Sequence, residues 1–204
     1  RIVYFTDHGD NLGNRGCWGK SVMYEEAACI PMIAAGPDIP EGAVVSTPAT
    51  LLDIYPFIMD CVGARDGETV PADVPATSLF DLINGAEKDR VAFSEYHGMG
   101  SKTGAFMVRN GSEKLIHYAD YPPQFFDLAQ DPEALNDLGA DPAAQPRIEA
   151  LTAELRAICD PAEVDARAKR DQAAMLAENG GKAAVIERGD LGFSVPPGVQ
   201  PMFD

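Results

Sequence analysis

Ile2-Val3-Tyr4-Phe5-Thr6-Asp7-His8-Gly9-Asp10 begins as an unbroken β-branched and aromatic run and ends in a carboxylate, an imidazole and a glycine. Asn14-Arg15-Gly16-Cys17-Trp18-Gly19-Lys20 follows after one short loop. The run has no polar alternation, which predicts a strand covered on both faces. Such strands belong to parallel sheets, whose ligands collect beyond the carboxyl ends. Asp7 and His8 stand at that end. A central strand as first element needs neighbours from elsewhere, and Arg1 is not a start methionine, so the chain reads as the C-terminal part of a longer protein.

Working outward, residues 21–28 suggest a short helical turn and residues 30–35 a second strand. Residues 47–62 carry helical spacing through Leu51, Leu52, Ile54, Tyr55, Ile58 and Met59, with Pro56 expected to split the helix and Gly63 to cap it. A helix following a strand in this way is βαβ material. Residues 78–83 suggest another helical turn. From Arg90 the period becomes two, predicting strands over 90–96, 104–109 and 114–118. Asn110-Gly111 joins the last two as a hairpin, because both residues accept positive φ. Residues 124–128 supply a fourth strand of this meander. Residues 146–159 form an amphipathic helix with Ile148, Leu151, Leu155 and Ile158 on one side. Asp160-Pro161 restarts a helix that Gly180-Gly181 stop.

The expected organisation is therefore α/β over residues 1–88, a small α+β subdomain with an antiparallel sheet over 89–160, and a helix with an extended tail over 161–204. Phe193, Val195, Met202 and Phe203 make that tail apolar enough to rest on its own subunit or a neighbour, so a homo-oligomer is expected.

The formal charge of −16 opposes binding to nucleic acid and to anionic membrane surfaces. It does not exclude an anionic substrate, because a metal ion and one lysine make a local positive pocket. Cys17, Cys29, Cys61 and Cys159 are widely spaced and read as free, buried thiols. No apolar run approaches the roughly 20 residues that span a bilayer. A cytoplasmic location is expected, with the periplasm as the alternative.

An adjacent Asp-His pair is ordinarily a helix cap beside a solvent-facing ring. Glycines at 9, 13 and 16 change that reading, since a tight turn lets two neighbouring side chains converge on one point. Asp7 and His8 are thus candidate ligands of a divalent metal. The loop lacks the glycine and terminal glutamate of an EF-hand. Lys20 returns to the same face, where an ammonium beside a cation makes sense with an anion between them. His97 ends a strand in a glycine-containing loop and reads either as a general acid or substrate-orienting group, or as a hydrogen-bonded structural histidine. His117 reads as structural. Glu25-Glu26 reads as a helix surface, with Glu25 able to rim the pocket.

Residues 4–13, with Gly16-Cys17-Trp18-Gly19-Lys20, Tyr24-Glu25-Glu26 and Ile30-Pro31-Met32-Ile33, resemble the second half of a type I sulfatase of the alkaline phosphatase superfamily. Leu52-Asp53-Ile54-Tyr55-Pro56, Gly104-Ala105-Phe106-Met107-Val108-Arg109 and Gln124-Phe125-Phe126-Asp127-Leu128 extend the resemblance to about residue 160, and the tail is closest in style to choline sulfatases and phosphonate monoester hydrolases. The resemblance implies the C-terminal part of an alkaline-phosphatase-like fold. It implies that Asp7 and His8 ligate a divalent cation, Ca2+ first with Mn2+ or Mg2+ as alternatives. It implies that Lys20 binds sulfate and that the substrate is a small sulfate ester; Lys20 and His97 are the candidate catalytic and substrate-binding residues. The family's nucleophile is a formylglycine made from a cysteine in a Cys-x-Pro/Ala-x-Arg motif. Cys29-Ile30-Pro31-Met32-Ile33 lacks the arginine, and Cys61-Val62-Gly63-Ala64-Arg65 has glycine at the middle position. The nucleophile is therefore expected upstream of this chain, which alone would be inactive. Phosphonate or phosphate diester hydrolysis, and a pure assembly role, are the alternatives.

Overall fold

A computed structural model describes residues 1–64, 73–86, 89–98 and 101–189. The chain divides into two units, Arg1–Ala162 and Glu163–Asp204.

In the first unit the opening strand β1 (Ile2–Phe5) pairs antiparallel with β4 (Met32–Ala35), Ile2 opposite Ala35 and Phe5 opposite Met32. This antiparallel pairing corrects the expectation of parallel neighbours as far as β4 is concerned, while the neighbours expected from elsewhere lie outside this chain. Val3, Met32 and Ala34 pack on a cluster of Ile54, Phe57, Leu79 and Leu82, whereas Ile2, Tyr4 and Ile33 are 73%, 63% and 61% exposed. An apolar run reports that a strand is apolar on two faces. It does not report that both faces are covered within the same stretch of chain.

The cluster under β1 and β4 comes from α2 (Ile54–Cys61) and α3 (Leu79–Ile83). Leu51–Asp53 forms a 3-10 turn that runs into α2, so the break in this helix lies at Asp53 and not at Pro56. Pro56 sits in the first turn of α2, where a missing N–H leaves no intrahelical bond unmade. The Asp53 carboxylate, fully buried, accepts from the Thr50 and Thr77 amides at 2.7 and 2.8 Å and from both Arg90 terminal nitrogens at 2.6 and 2.7 Å.

Arg90 leads into the meander of β5 (Val91–Tyr96), β6 (Ala105–Asn110), β7 (Glu113–Tyr118) and β8 (Tyr121–Asp127), which pair antiparallel in that order. The β6–β7 turn differs by one residue from the expected hairpin. Asn110 still pairs with Glu113, so the two-residue loop is Gly111-Ser112, with positive φ at Gly111 only. A glycine in the first loop position is the II′ pattern, which matches the twist of the flanking strands.

Phe106, Val108, Leu115 and Phe125 fill one face of this sheet, along which α4 (Gln145–Ile158) lies with Ile148, Leu151 and Leu155 buried. Ile158, expected on the same stripe, is exposed at the helix end. On the other face Met107, Ile116 and Phe126 join Met23 and Tyr24. The segment just after Lys20 is therefore clamped to the sheet. Arg147 spans Glu113 (2.6 Å) and Asp127 (2.8 Å) and lies over the Phe125 ring at 4.9 Å.

The second unit is helical, with α5 (Pro161–Glu178) followed by α6 (Gly181–Arg188) and Lys169 paired to Asp165 at 2.7 Å. Asp160 Oδ1 accepts from the Ala162 amide at 3.0 Å, the cap expected before Pro161. Gly180 turns the chain at φ 86°, and a further helix begins at Gly181. Phe193, Val195, Met202 and Phe203 lie outside the described residues. No helix among the described residues is long and apolar enough to cross a membrane.

Candidate active site

Beyond Phe5 the backbone leaves β1 and presses against α1 (Glu25–Ala28), and Gly9 is what permits the approach. Its N–H donates to the Ala27 carbonyl at 2.9 Å, and a Cβ at position 9 would stand 2.1 Å from the Glu26 carbonyl oxygen. This anchor fixes the residue directly after the Asp-His pair. The Thr6 hydroxyl lies 3.2 Å from both Asp7 Oδ1 and the His8 carbonyl. The Asp7 carboxyl is held below the ordinary carboxylate value chiefly by its own backbone amide.

His8 Nδ1 lies 2.9 Å from the Gly9 carbonyl oxygen. A carbonyl only accepts, so the network assigns the ring proton to Nδ1 and a lone pair to Nε2. That lone pair faces Asp7 Oδ2 at 3.4 Å and receives Lys20 Nζ at 2.5 Å. Two acceptors aimed at one another repel, and the ammonium on His8 Nε2 offsets this on the imidazole side. The spacing also suits a bound ion, since donors held at about 2.3 Å and at right angles to one another stand about 3.3 Å apart. The donor set of one carboxylate and one imidazole thus fits part of a divalent-metal site. No group of three or more His, Cys, Asp or Glu that could hold a metal occurs among the described residues.

Lys20 reaches this point through a small hairpin. β2 (Asn11–Leu12) pairs with β3 (Trp18–Gly19), and the buried Asn11 side chain donates to the Gly19 carbonyl at 2.8 Å. A 3-10 turn, Asn14–Gly16, forms the tip. Position along the chain separates His8 from Lys20 by twelve residues, and the hairpin folds that distance back to contact.

His97 lies just past β5, its side chain 18% exposed, with Nε2 3.5 Å from Glu95 Oε2 and its ring edge-on to Phe106 at 5.2 Å. Tyr96 Oη meets Ser21 Oγ at 2.9 Å, which ties the end of β5 to the residue after Lys20. His117 lies beside Phe106 within the sheet, and burial, followed by Arg156, lowers its pKa.

Glu25 and Glu26 do not form the open helix surface expected of them. Glu26 pairs with Arg15 at 3.3 Å. Glu25 accepts from Lys114 Nζ at 2.6 Å and from Arg109 Nη1 at 3.4 Å. Lys114 is wholly buried, and burial pulls its pKa below the ordinary lysine value with Glu25 opposing. These groups line a cavity of about 1090 Å³ together with Cys29 and the apolar stretch Met32-Ile33-Ala34-Ala35. Period-two alternation in β7 places Lys114 on an inward face. That was the one signal in the sequence for this pair. All four cysteines are free, as expected, but none is fully buried. Burial and then Glu25 push the Cys29 thiol up, the opposite of what an activated thiolate requires.

Residues 13–160 match the family described as N-sulphoglucosamine sulphohydrolase, C-terminal. The chain belongs to this sulfatase family. Choline-sulfatase of Rhizobium meliloti (strain 1021) is 34% identical over 175 residues, 84% of this chain and 34% of that protein. A solved structure of a protein in complex with its substrate D-glucosamine-2-N,6-O-disulfate superposes with a TM-score of 0.70 at 25% identity, over 79% of this chain and 35% of its own. The phosphonate monoester hydrolase from Silicibacter pomeroyi gives 0.63 at 28% identity, over 76% of this chain and 33% of its own. This member of the sulfatase family spans about a third of the length of the curated relatives it matches. The mixed fold with an antiparallel sheet and C-terminal helices is that of sulfatase C-terminal regions.

Proposed function

We propose that this chain contributes one side of the active site of a sulfuric ester hydrolase, with Asp7 and His8 as metal ligands and Lys20 as the sulfate-binding cation. The observation that carries the reading is the convergence of Asp7 Oδ2, the His8 Nε2 lone pair and Lys20 Nζ at the end of β1. When bound, a divalent cation supplies Lewis acidity, favouring an ionised nucleophile and offsetting charge on the ester oxygens. Ca2+ is the first assignment. The imidazole donor favours Mn2+ more than an all-oxygen site would. The nucleophile, a formylglycine, stands outside these 204 residues in this reading.

The chain's own groups then act as follows. His8 Nδ1–H donates to the Gly9 carbonyl oxygen, and this keeps the Nε2 lone pair turned toward Asp7. With that lone pair engaged by a metal, Lys20 is released to donate to an anionic oxygen. Loss of one such preorganised contact typically costs about 2.7–4 kcal/mol, or two to three decades in rate. In this reading His97, whose Nε2 lies 3.5 Å from Glu95 Oε2, gives a proton to the leaving oxygen. The tail beyond Gly180 holds subunits together, and truncation there should change the mass seen by light scattering.

The test is Asp7→Ala in the full-length protein, with aryl sulfate hydrolysis and metal content both measured. Loss of both supports the reading, and retention of both defeats it. A second reading, phosphonate monoester hydrolysis, draws on the structural likeness to the Silicibacter pomeroyi enzyme. Turnover of a phosphonate monoester above that of an aryl sulfate would select it.

A further inference from the structure

Arg15 occupies the tip of the β2–β3 hairpin, midway between the metal-ligand pair and Lys20, and its environment is unlike that of a loop arginine. Its backbone is left-handed, with φ 56° and ψ 19°, a conformation that disfavours any residue bearing a Cβ. Its side chain is 15% exposed. Nη1 donates to the Ala134 carbonyl at 2.7 Å, Nη2 donates to the Glu133 carbonyl, and Nε donates to Glu26 Oε2 at 3.3 Å. The guanidinium plane lies over the Tyr24 ring at 4.5 Å. The receiving loop is itself specialised, because Ala134 is fully buried with φ 50°. A fork of donors, each with an acceptor in place, holds the hairpin tip to the loop after β8 from one side and to α1 from the other.

The hairpin carries Lys20 at one end and begins three residues after His8. Its tilt therefore sets the gap between Lys20 and His8. We propose that Arg15 is a positioning residue, a latch that keeps the β2–β3 hairpin seated so that Lys20 faces Asp7 and His8. The proposal rests on the metal and sulfate reading of those three residues. Without the latch the seated hairpin is one of several populated arrangements, and the apparent affinity of any ligand that needs it falls by the seated fraction. Saturating substrate draws the hairpin back to its seated arrangement, so KM rises while kcat changes little.

The experiment uses the full-length protein with Arg15→Ala and Arg15→Lys, and Asp7→Ala as the reference for the site. Metal-depleted samples are back-titrated with Mn2+, kcat and KM are measured at saturating metal with an aryl sulfate, and melting temperatures are recorded. The latch predicts that Arg15→Ala raises KM about tenfold while kcat stays within about threefold, and that the Mn2+ midpoint does not rise, because Lys20 competes with the metal for His8 Nε2. Arg15→Lys keeps the charge and loses the fork, so it should show the same split at smaller size and with little change in melting. If Arg15→Ala does not fold, the lysine variant alone decides. A role confined to stability would lower melting and active fraction while the surviving enzyme kept its KM, and that result overturns the proposal. A KM within twofold of wild type, with Asp7→Ala inactive, also overturns it and leaves the metal site standing. Full activity and metal content in Asp7→Ala overturn both.

Discussion

Replacing Asp53 by alanine removes the only fully buried carboxylate that the described residues show joining the α2 turn, residue 77 and the start of the meander. The loss has two parts. Arg90 loses a bidentate partner at 2.6 and 2.7 Å while its side chain remains 9% exposed. Breaking a buried pair from one side typically costs about 3–5 kcal/mol. The Thr50 and Thr77 amides lose their acceptor too, and an orphaned buried amide adds about 1–3 kcal/mol where water cannot reach it. The two residues border loops that can hydrate, so the sum should fall near the pair's own range, about 4 kcal/mol. Asp53→Asn keeps the shape and loses the charge, and about half that loss is expected. Urea unfolding of wild type, Asp53→Ala, Arg90→Ala and the double variant reads this directly. A destabilisation of about 4 kcal/mol with a coupling above 1 kcal/mol is expected. A loss below about 1 kcal/mol, or strict additivity, would refute the argument that this pair fastens the two sheet regions.

Lys20→Ala in the full-length protein should lower kcat/KM for an aryl sulfate by about a hundredfold or more while metal content is retained, measured by steady-state kinetics and elemental analysis. Gly9→Ala should lower both melting temperature and metal affinity, because its Cβ would stand 2.1 Å from a backbone oxygen that cannot swing away. Acid sensitivity should trace to Asp127, whose carboxyl Arg147 holds below its ordinary 3.8. A depressed carboxyl stabilises the fold fully above the unfolded value and loses that contribution as pH falls through the folded one. Melting temperatures of wild type and Asp127→Asn should therefore differ at pH 6 and converge toward pH 3.

The residues of the candidate site were legible because they are marked locally. An apolar run that stops at Asp7-His8 and a glycine-rich return to Lys20 are both visible in twenty residues. The meander was legible for a related reason, since short strand-like runs bounded by glycine-containing turns mark β5, β6 and β7, although β6 is buried on both faces over Ala105, Phe106, Met107 and Val108. What escaped the sequence depends on partners distant in the chain. Alternation in β7 turns Lys114 inward but does not name its partner, Glu25, 89 residues away. Arg15 reads as a loop arginine until the carbonyls of Glu133 and Ala134 are seen beside it. The covering of β1 is a property of the surroundings, and Ile2, Tyr4 and Ile33 carry no mark that distinguishes the covered face from the open one. Pro56 misled because a proline's effect depends on its distance from the helix start, which the 3-10 turn at Leu51–Asp53 shifted.

Anomalous diffraction at the manganese edge, on crystals of the full-length protein grown with Mn2+, tests the central assignment most directly. The account predicts one strong peak within coordination distance of both an Asp7 carboxylate oxygen and His8 Nε2, with Lys20 Nζ moved off the imidazole. A peak elsewhere, with His8 Nε2 still bound to Lys20, would contradict it.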